Sequence, residues 1–583
     1  MPINFGEYEV DPETGEYRRV FRGGAEPPKP PKKRKRERKP RSNGKSLLLS
    51  AVITLIFGFL YFYFELPALN FRSMDLYIFI ILLCIVFCVC SLIFGGFRGE
   101  TPKSYVDEAR KRASIPFYVI CACIVVMIVG SVIGWKLFRA KSYAALLPIE
   151  NGNFATEVAE ISFDQIPMLD KDSANVLANR KLGELSELVS QFEVYNDSFQ
   201  INYQNRPVRV TYLTYGDFFK WWNNQSNGIP AYMVIDMVTQ EVNVHKLEQG
   251  IRYSPSEYFF RNINRYLRFN YPTKIFDDIN FEVDEDGDPY WVATTLTKRV
   301  GLFGGADANG AVLVNAVTGE SQWYAIEDVP TWVDRVYTAD LIIQQYDYYG
   351  LYQSGFINSI FGQSGCTMTT SGYNYIAQDD DVWLYTGVTS VSGDQGNIGF
   401  ILVNQRTKEA RYYPSAGAEE RSAQDSAQGA VQQYAYKATF PLLLNIGGQP
   451  TYFMALKDAS QLVKMYAMVN VQQYQIVATG TSVTACVENY ERLLVENNIL
   501  DGLTDHVPVG TETVTGRIAD IRTAVINGNT TFYVQLENGD VFYSVTAAQA
   551  PEVIIMNVGD RVEIQYTAAE SADILLASSI KAK

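Results

Sequence analysis

The sequence predicts a membrane-anchored α+β protein with three N-terminal transmembrane helices, tandem repeats of a helix plus an antiparallel sheet, and a C-terminal all-β barrel. Three observations carry this prediction: long apolar runs before residue 140, a strand–turn–strand phrase that recurs four times, and alternating strands after residue 511. The chain has 583 residues, 47% hydrophobic and 20% charged, with a net charge of −14. This composition excludes a wholly disordered chain, and the length allows several domains.

Three apolar runs are long enough to cross a membrane. They cover residues 46–64, 74–97 and 115–135. A hydrocarbon core takes about 20 helical residues, and a soluble domain does not use three such runs so close together. The runs carry no ionisable group near mid-membrane, which argues against a transporter, a proton path or a channel.

Basic residues set the expected orientation of these spans. Residues 29–45 contain ten Lys or Arg and one acid, the loop 98–114 contains five basic residues, and the loop 65–72 contains one. Because Lys and Arg accumulate on the cytoplasmic side, we expect the N-terminus and the second loop in the cytoplasm and the chain after residue 140 outside. The acidic excess then falls on the exterior part, which disfavours nucleic-acid binding.

The first 45 residues combine prolines with a basic cluster, so we expect a disordered cytoplasmic arm. Beside a span, basic side chains attract anionic lipid at about 1 kcal/mol each. The side chains expected at lipid headgroups are those of Lys32, Lys33, Arg34, Lys35, Arg36, Arg38 and Lys39. A nuclear-localisation or nucleic-acid role would use the same residues, but the adjacent span disfavours it.

The recurring phrase is an apolar run that ends in a turn led by Asp or Asn. The leading residues are Asp236, Asn315, Asn404 and Asn470. An apolar run, an Asx-led turn and a return strand are typical of a β-hairpin. A further strand and a helix are predicted before each copy, so each unit is expected to contain one helix and three strands.

The helices of these units are predicted from caps and apolar spacing. One begins at a capping box, Ser254 to Glu257, with Pro255 at the first helical position. The other three are predicted at 173–194, 338–349 and 422–436.

The best-preserved repeat carries a family resemblance. It reads Val314-Asn315-Ala316-Val317-Thr318-Gly319-Glu320 and follows a turn at Asp286-Gly287. A helix on a short antiparallel sheet ending in such a hairpin resembles the PepSY family of bacterial extracytoplasmic modules, here as four copies over about residues 165–478. The resemblance implies a bacterial envelope setting and a binding or regulatory role, often toward peptidases.

The C-terminal segment is predicted to be strand-rich after a helix at 484–497. Strands are expected at 515–522, 532–536, 541–544 and 559–566, with Asn538-Gly539 as a hairpin turn. About five strands in so short a segment resemble an OB-fold. The segment lacks the basic groove that nucleic-acid binding needs.

These elements divide the chain into eight expected segments. They are an arm (1–45), the spans (46–138), four PepSY-like repeats (139–245, 246–328, 329–416 and 417–480), a helix with a linker (481–511) and an OB-like barrel (512–583).

Few residues are candidates for chemistry. Asp284, Asp286 and Asp288 have calcium-loop spacing, but Pro289 interrupts the further ligands such a loop needs, so a hairpin turn is favoured. The acidic run 379–381 occupies the equivalent turn of the next repeat. The chain has only two histidines, and the Gly-rich stretch 362–366 is not a nucleophile motif. No catalytic, cofactor-binding or firm metal-binding residue is therefore predicted.

Partner contacts and thiol chemistry have equally few candidates. The tryptophans proposed as partner anchors are Trp221, Trp222, Trp323 and Trp332, although positions in the core or on a sheet face are favoured. Cys366 and Cys486 are the two cysteines outside the spans; an oxidising space would allow a disulfide between them, but the sequence does not establish that they lie close together.

The sequence thus favours a non-enzymatic scaffold or protein-binding subunit in a bacterial cell membrane. The expected partners are another envelope or membrane protein and anionic lipid, with no cofactor and no nucleic acid, and homo-oligomerisation is left open. The alternative is a regulator or inhibitor of an extracytoplasmic peptidase or cell-wall enzyme. A third hypothesis, an enzyme that uses carboxylates, would be favoured by a pocket with paired carboxyl groups, whereas an exposed groove or apolar patch would favour the scaffold.

Overall fold

The computed structural model describes residues 8–10, 15, 17–19, 43–95, 102–160, 166–378, 381–391, 396–499, 511–526, 529–537, 539, 541–546, 550–567 and 574–583. The basic cluster predicted to contact lipid, the linker 500–510 and Asn538 lie outside these residues. Two short strands near the N-terminus, β1 (Tyr8–Val10) and β2 (Tyr17–Arg19), pair antiparallel.

Three long helices match the predicted spans. They are α1 (Asn43–Glu65), α2 (Met74–Gly95) and α3 (Pro102–Ile133). All three are long and apolar enough to cross a membrane, which confirms that prediction. The prediction of a loop over 98–114 was wrong in part, because α3 begins at Pro102. The charged residues of this segment exclude it from lipid but are good helix formers, so charge alone did not mark a loop.

The chain divides into two compact units. One comprises residues 1–57 and 84–117, and the other comprises 58–83 and 118–583. Within the first unit, Nη1 of Arg112 lies 3.3 Å from both the Ser46 hydroxyl and the Ser91 carbonyl oxygen. This guanidinium therefore links α3 to the start of α1 and the end of α2.

Within the second unit, the end of α1 is tied to the chain that follows. The backbone N–H of Leu69 donates to the carbonyl of Pro272 at 2.8 Å, and Nε of Arg268 donates to the carbonyl of Leu66 at 2.9 Å. After α3, the Tyr143 hydroxyl donates to the carbonyl of Gly134 at 2.8 Å. The bonds to the carbonyls of Leu66 and Gly134 satisfy acceptors that the ends of α1 and α3 leave unpaired.

The remaining helices are short. They are α4 (Lys136–Ala144), α5 (Phe154–Glu157), α6 (Lys171–Gly183), α7 (Ser186–Val189), α8 (Phe218–Asn224), α9 (Ile263–Asn270), α10 (Ala339–Tyr352), α11 (Glu420–Ala430) and α12 (Val483–Glu496). Single turns of 3₁₀ or π helix lie at Phe259–Arg261, Ile326–Asp328, Asn358–Gly362, Gln432–Tyr434 and Pro551–Ile555.

Four antiparallel sheets follow one another along the chain between residues 150 and 480, a region we call the four-sheet domain. The first sheet has β4 (Phe192–Val194), β5 (Phe199–Tyr203), β6 (Arg206–Tyr215), β7 (Ile229–Asp236) and β8 (Val242–Ile251). The second has β9 (Ile275–Val283), β10 (Pro289–Val300), β11 (Gly304–Asn315) and β12 (Ser321–Ala325).

The other two sheets repeat this layout. The third has β13 (Thr367–Thr369), β14 (Asn374–Gln378), β15 (Asp381–Ser390), β16 (Gly396–Asn404) and β17 (Ala410–Ala418), with β3 (Glu150–Asn151) parallel to β17. The fourth has β18 (Lys437–Ala438), β19 (Leu442–Ile446), β20 (Gln449–Lys457), β21 (Val463–Asn470) and β22 (Val477–Gly480). In the first, third and fourth sheets, two short strands pair with one long strand.

The four recurring Asx residues occupy the same place in the four sheets. Each ends the strand that precedes the last strand of its sheet (β7, β11, β16 or β21), and its Oδ1 accepts hydrogen bonds from the backbone N–H groups two and three residues later, at 2.8 to 3.0 Å. These residues are Asp236, Asn315, Asn404 and Asn470. One local hydrogen-bond pattern thus sets the turn in every sheet.

Asn315→Ala is expected to lower the free energy of unfolding by about 1 kcal/mol, because the N–H groups of Val317 and Thr318 lose their acceptor. The measurement is chemical unfolding of the full chain in detergent, followed by tryptophan fluorescence. Asn315→Asp is the matched control, since the first sheet uses Asp at this place. Equal stability of the Ala variant and the wild type would contradict the prediction.

The predicted helix is present as α9, but its predicted start at Ser254 was wrong. No α-helix lies between Ser254 and Asn262, all of which the structure describes, and the Asn262 side chain caps α9 by accepting from the N–H of Arg265. Glu257 is instead buried as an acceptor for the side chains of Tyr215 and Trp221. The capping box required the Glu257 side chain at the start of a helix, but that side chain instead makes tertiary hydrogen bonds with Tyr215 and Trp221.

Other predicted boundaries also differ from those in the structure, because residues distant in sequence pair with one another. The helix predicted over 173–194 ends at Gly183, and β4 occupies its last residues because it pairs with β6. The predicted border at residue 245 falls inside β8, and the border at 416 falls inside β17. The helices predicted at 338–349, 422–436 and 484–497 correspond to α10, α11 and α12.

Adjacent sheets share hydrophobic cores. One cluster joins the first and second sheets, another the second and third, and another the third and fourth. The fourth sheet returns to the first through Lys457, whose Nζ lies 2.6 Å from Oδ2 of Asp170, the N-cap of α6. The sheets therefore follow one another around a centre, the layout that β-propellers use.

The C-terminal strands form a separate sheet. They are β23 (Thr511–Ile526), β24 (Asn529–Leu536), β25 (Phe542–Thr546), β26 (Arg561–Thr567) and β27 (Ile574–Ala582). Their order is β23-β24-β25-β27-β26, and β26 pairs with β23, so the order closes on itself. A cluster that includes Ile518, Val534 and Ile564 fills the space between them.

Candidate functional site: the central cavity

A cavity of about 620 Å³ lies where the four sheets meet. The early strands of all four sheets line it, through Phe199 of β5, Ile279 of β9, Tyr375 of β14 and Leu442 of β19. Small-molecule and peptide pockets typically enclose roughly 300–1,000 Å³. The centre of the four-sheet domain is therefore the candidate site.

Arg209 places a buried cation in the cavity wall. It lies on β6 opposite Gln200 of β5, and its Nε and Nη1 donate to the carbonyls of Leu169 (3.4 Å) and Ser198 (3.2 Å). Burial, and then the nearby Arg335, lower the pKa of Arg209 to about 10. The guanidinium therefore remains charged at neutral pH.

Arg335 is the second cation of the cavity. It lies three residues before Thr338, the N-cap of α10, and its guanidinium carbon stands 4.2 Å from the centre of the Tyr375 ring. Its Nε is buried with no hydrogen-bond partner among the described residues. Over the same part of the chain, no carboxylate lies within 4.0 Å of either guanidinium. The two arginines thus form a cationic site, with the carboxylates of Asp170, Asp197 and Asp278 nearby but not in direct contact with either guanidinium.

Carboxylates line other parts of the cavity. Asp170 is paired with Lys457, and Oδ2 of Asp197 lies 2.8 Å from Nζ of Lys171. Asp278 also lines the wall, and burial, followed by the neighbouring carboxylates of Asp277 and Asp340, raises its pKa. The cavity therefore offers cations at one part of its wall and hydrogen-bond acceptors at another.

Glu282 and Asp334 form a buried carboxyl pair outside the cavity lining. The N–H of Asp334 donates to Oε2 of Glu282 at 2.9 Å, and the N–H of Asn202 donates to Oδ2 of Asp334 at 2.6 Å. Burial raises the pKa of Glu282 to about 7, and burial together with the charge of Glu282 raises the pKa of Asp334. The buried site therefore disfavours the state in which both carboxyl groups are ionised.

The calcium candidates form a hairpin turn. Oδ1 of Asp284 accepts from the N–H groups of Asp286 (3.1 Å) and Asp288 (2.8 Å), so this carboxylate is used by the turn itself. Among the residues that the structure describes, no group of three or more His, Cys, Asp or Glu side chains is arranged to hold a metal ion. Asp379 and Asp380 lie outside those residues, and Asp381 makes two contacts with Arg406, at 2.6 and 2.8 Å.

The four candidate tryptophans lie in different settings. Trp221 is buried and donates through Nε1 to Glu257 at 2.7 Å, whereas Trp222 is 60% exposed. Trp323 is half-buried beneath Nζ of Lys274, 3.4 Å from the ring centre, and Trp332 packs on Tyr290 at 5.0 Å between ring centres. Of the four, only Trp222 is largely exposed.

Cys366 and Cys486 are free, buried thiols. Cys366 follows the π turn after α10, and Cys486 lies on α12 in the core of the third and fourth sheets. Burial raises the pKa of the Cys486 thiol to about 12, so it is unreactive at neutral pH.

Sequence reasoning missed Arg209 and Arg335, which line the cavity, and the buried pair Glu282 and Asp334, which lies outside its lining. One signal was present for Arg209 and Glu282, since each is a charge within an otherwise apolar strand, Val208 to Val210 and Phe281 to Val283. A charged residue in such a strand either faces solvent or is buried in a structural or binding role. The sequence does not distinguish these two positions.

Comparisons with known proteins give no family. No protein-family model matches the chain, and no curated protein matches it. Among solved structures, the chain is similar to an exo-beta-1,3-galactanase from Phanerochaete chrysosporium at 9% identity and a TM-score of 0.18, covering 58% of this chain and 73% of that one. It is also similar to a B. megaterium levansucrase at 10% identity and a TM-score of 0.18, covering 74% of this chain and 96% of that one.

Proposed function

We propose that this protein is a non-enzymatic, membrane-anchored binding subunit of a bacterial envelope assembly, with its N-terminus in the cytoplasm and its four-sheet domain outside. The orientation rests on the basic residues that flank the spans. The PepSY-like character of the four units and the OB-like character of the last segment belong to the same proposal. The shared Asx turn and the closing strand order support them.

The observation that carries the binding role is the cationic site formed by Arg209 and Arg335. Two like charges in a buried site are destabilising unless an anion joins them. A guanidinium presents a planar set of donors that matches a carboxylate or phosphate. An anionic group of a partner would therefore complete the wall of the cavity.

The other residues of the cavity wall restrict the chemical class of the partner further. Asp278 and Asp340 would accept hydrogen bonds from N–H or O–H groups, and the ring of Tyr375 gives an apolar surface. A peptide segment with a free carboxyl end offers all three features. The volume admits such a segment but not a folded domain, so the partner would insert a chain end.

Arg335→Gln is expected to weaken binding of that partner at least tenfold, because a charge-assisted hydrogen bond contributes about 1.5–3 kcal/mol. The full-length protein is extracted in mild detergent at native expression level, affinity-purified and analysed by sizing and mass spectrometry. Arg180→Gln is the matched control, since Arg180 is exposed on α6 away from the cavity.

The proposal requires one stoichiometric partner that the wild type and Arg180→Gln retain and that Arg335→Gln loses. It fails if Arg335→Gln retains the partner equally, or if the wild type purifies alone. Short peptides with free or amidated carboxyl ends then test the chemistry directly: only the free-acid set should bind.

The alternative function, regulation of an extracytoplasmic peptidase or cell-wall enzyme, uses the same cavity. It is distinguished by the identity of the retained partner and by whether that enzyme's rate changes when the purified protein is added. Carboxylate catalysis has weaker support, because the buried pair Glu282 and Asp334 does not line the cavity.

A further inference from the structure

The four-sheet domain carries a cluster of exposed aromatic side chains that we call the aromatic ridge. It consists of Phe218, Phe219, Trp222, Tyr258, Phe259 and Phe260. Phe219 is 77% exposed and Trp222 is 60% exposed. Aromatic side chains gathered in this way on a soluble surface mark an interaction site.

The ridge is held rigidly from below. Trp221 lies beneath it, with ring centres 4.7 Å from Tyr258 and 5.9 Å from Phe259. The carboxylate of Glu257 accepts from Nε1 of Trp221 at 2.7 Å and from the hydroxyl of Tyr215 at 2.8 Å. The exposed rings therefore stand on a fixed, hydrogen-bonded base.

The ridge is continuous with the end of the membrane helix α1. The ring of Phe260 lies 5.7 Å from that of Tyr63 and 5.3 Å from that of Phe269, and Phe269 lies 5.0 Å from Phe62. The apolar stretch of α1, Gly44–Glu65, has 22 residues and so spans about 33 Å, close to the thickness of a hydrocarbon core. Tyr63 therefore lies at the membrane–water boundary, and Phe260 lies beside it.

Cations accompany the rings at this level. The guanidinium of Arg265 stands 4.6 Å from the centre of the Tyr63 ring, and Nη1 of Arg261 donates to the carbonyl of Gln225 beside the ridge. Aromatic rings and basic side chains together are the composition of membrane interfaces, where rings enter the headgroup region and cations meet phosphates.

A second apolar protrusion lies near the end of α3. Phe361 is 84% exposed, with Ile357 and Ile360 exposed beside it, in the turn that follows α10. α10 packs on α4, directly after α3, through Tyr348 and Tyr143 at 4.8 Å between ring centres. Two exposed apolar elements thus adjoin the same ends of two spans.

We propose that the aromatic ridge inserts into the headgroup region of the membrane leaflet at the Glu65 end of α1, so that the four-sheet domain is docked on the lipid surface. The turn 357–361 enters the same leaflet beside α3. The occupant is lipid, because the ridge continues the surface of a spanning helix at interface depth. The docking holds regardless of which side of the membrane this leaflet faces.

The test measures quenching of tryptophan fluorescence by brominated lipid. Full-length wild type and Trp222→Phe are each placed in nanodiscs at one chain per disc, in phosphatidylcholine or in the same lipid brominated at carbons near the headgroup. A single chain per disc removes contacts with a second copy. Trp332→Phe is the matched control, because Trp332 is half-buried against Tyr290 beside the core that the second and third sheets share.

The expected result is a loss of quenching in Trp222→Phe relative to the wild type and to Trp332→Phe. Phe219→Ser should also reduce the quenching of Trp222 by withdrawing the neighbouring ring from lipid. Equal quenching of the wild type and Trp222→Phe would overturn the proposal and leave the ridge as a surface for another protein.

Discussion

Trp291→Ala is expected to lower the free energy of unfolding by about 4 kcal/mol, a loss in the range measured for buried aromatic residues. Trp291 is 1% exposed on β10, and its ring centre lies 4.9 Å from Tyr212 and 5.1 Å from Phe281. Tyr212 belongs to the first sheet and Trp291 to the second, so this ring fills the junction between them. Its removal leaves a cavity that fixed strands on both sides cannot close.

A hydrogen bond adds to this loss. Nε1 of Trp291 donates to the carbonyl of Tyr253 at 2.7 Å, and alanine leaves that buried oxygen without its partner. The segment around Tyr253 connects the first sheet to the second, so the change also loosens the connection. Trp291→Phe should recover most of the packing but not this bond.

The measurement is denaturant unfolding of the full chain in detergent, with the midpoint followed by circular dichroism. Trp222→Ala is the control, because the Trp222 side chain is exposed and detergent can cover it in both forms. A loss of less than about 1 kcal/mol for Trp291→Ala would contradict the packing described for the junction.

The local features of the fold could be predicted from the sequence. The three spans depend only on a long apolar run, and the Asx turns depend only on one side chain and the two N–H groups that follow it. The Asx residue in each copy of the phrase was therefore enough to predict the turn, and the hydrogen bonds of Asn315 show how the turn is held. No distant residue is needed for either feature.

The features that depend on distant residues could not be predicted. Glu257 had the spacing of a helix cap, but Tyr215 and Trp221 determined its role. From the sequence alone, Arg209 is expected on the exposed face of an alternating strand. In the structure it is buried in the cavity that the four sheets surround. The central cavity forms only where the four units meet, because each unit contributes only part of its lining.

Stability is expected to fall as the pH rises from about 5 to 8, and Glu282→Gln is expected to reduce that fall. The folded protein holds the pKa of Glu282 at about 7, above its ordinary 4.5, chiefly because the side chain is buried. The folded state therefore binds a proton that the unfolded state has released over this range. By linkage, the contribution of this group is present below pH 4.5 and is lost as the pH passes through 7.

The effect is shared with the adjacent Asp334, because burial raises the pKa of both carboxyl groups. Glutamine cannot ionise, and its oxygen can still accept from the N–H of Asp334, the bond that Oε2 of Glu282 makes at 2.9 Å. The substitution thus removes the charge without removing the hydrogen bond.

Unfolding free energies of the wild type, Glu282→Gln and Glu320→Gln are compared between pH 5 and 8 in the same detergent. Glu320 is exposed, so its substitution should leave the wild-type slope unchanged. Glu282→Gln should be more stable than the wild type at pH 8 and no more stable at pH 5. Parallel profiles for Glu282→Gln and the wild type would mean that Glu282 does not hold a proton in the folded state, because a buried group that stays ionised has no proton to lose over this range.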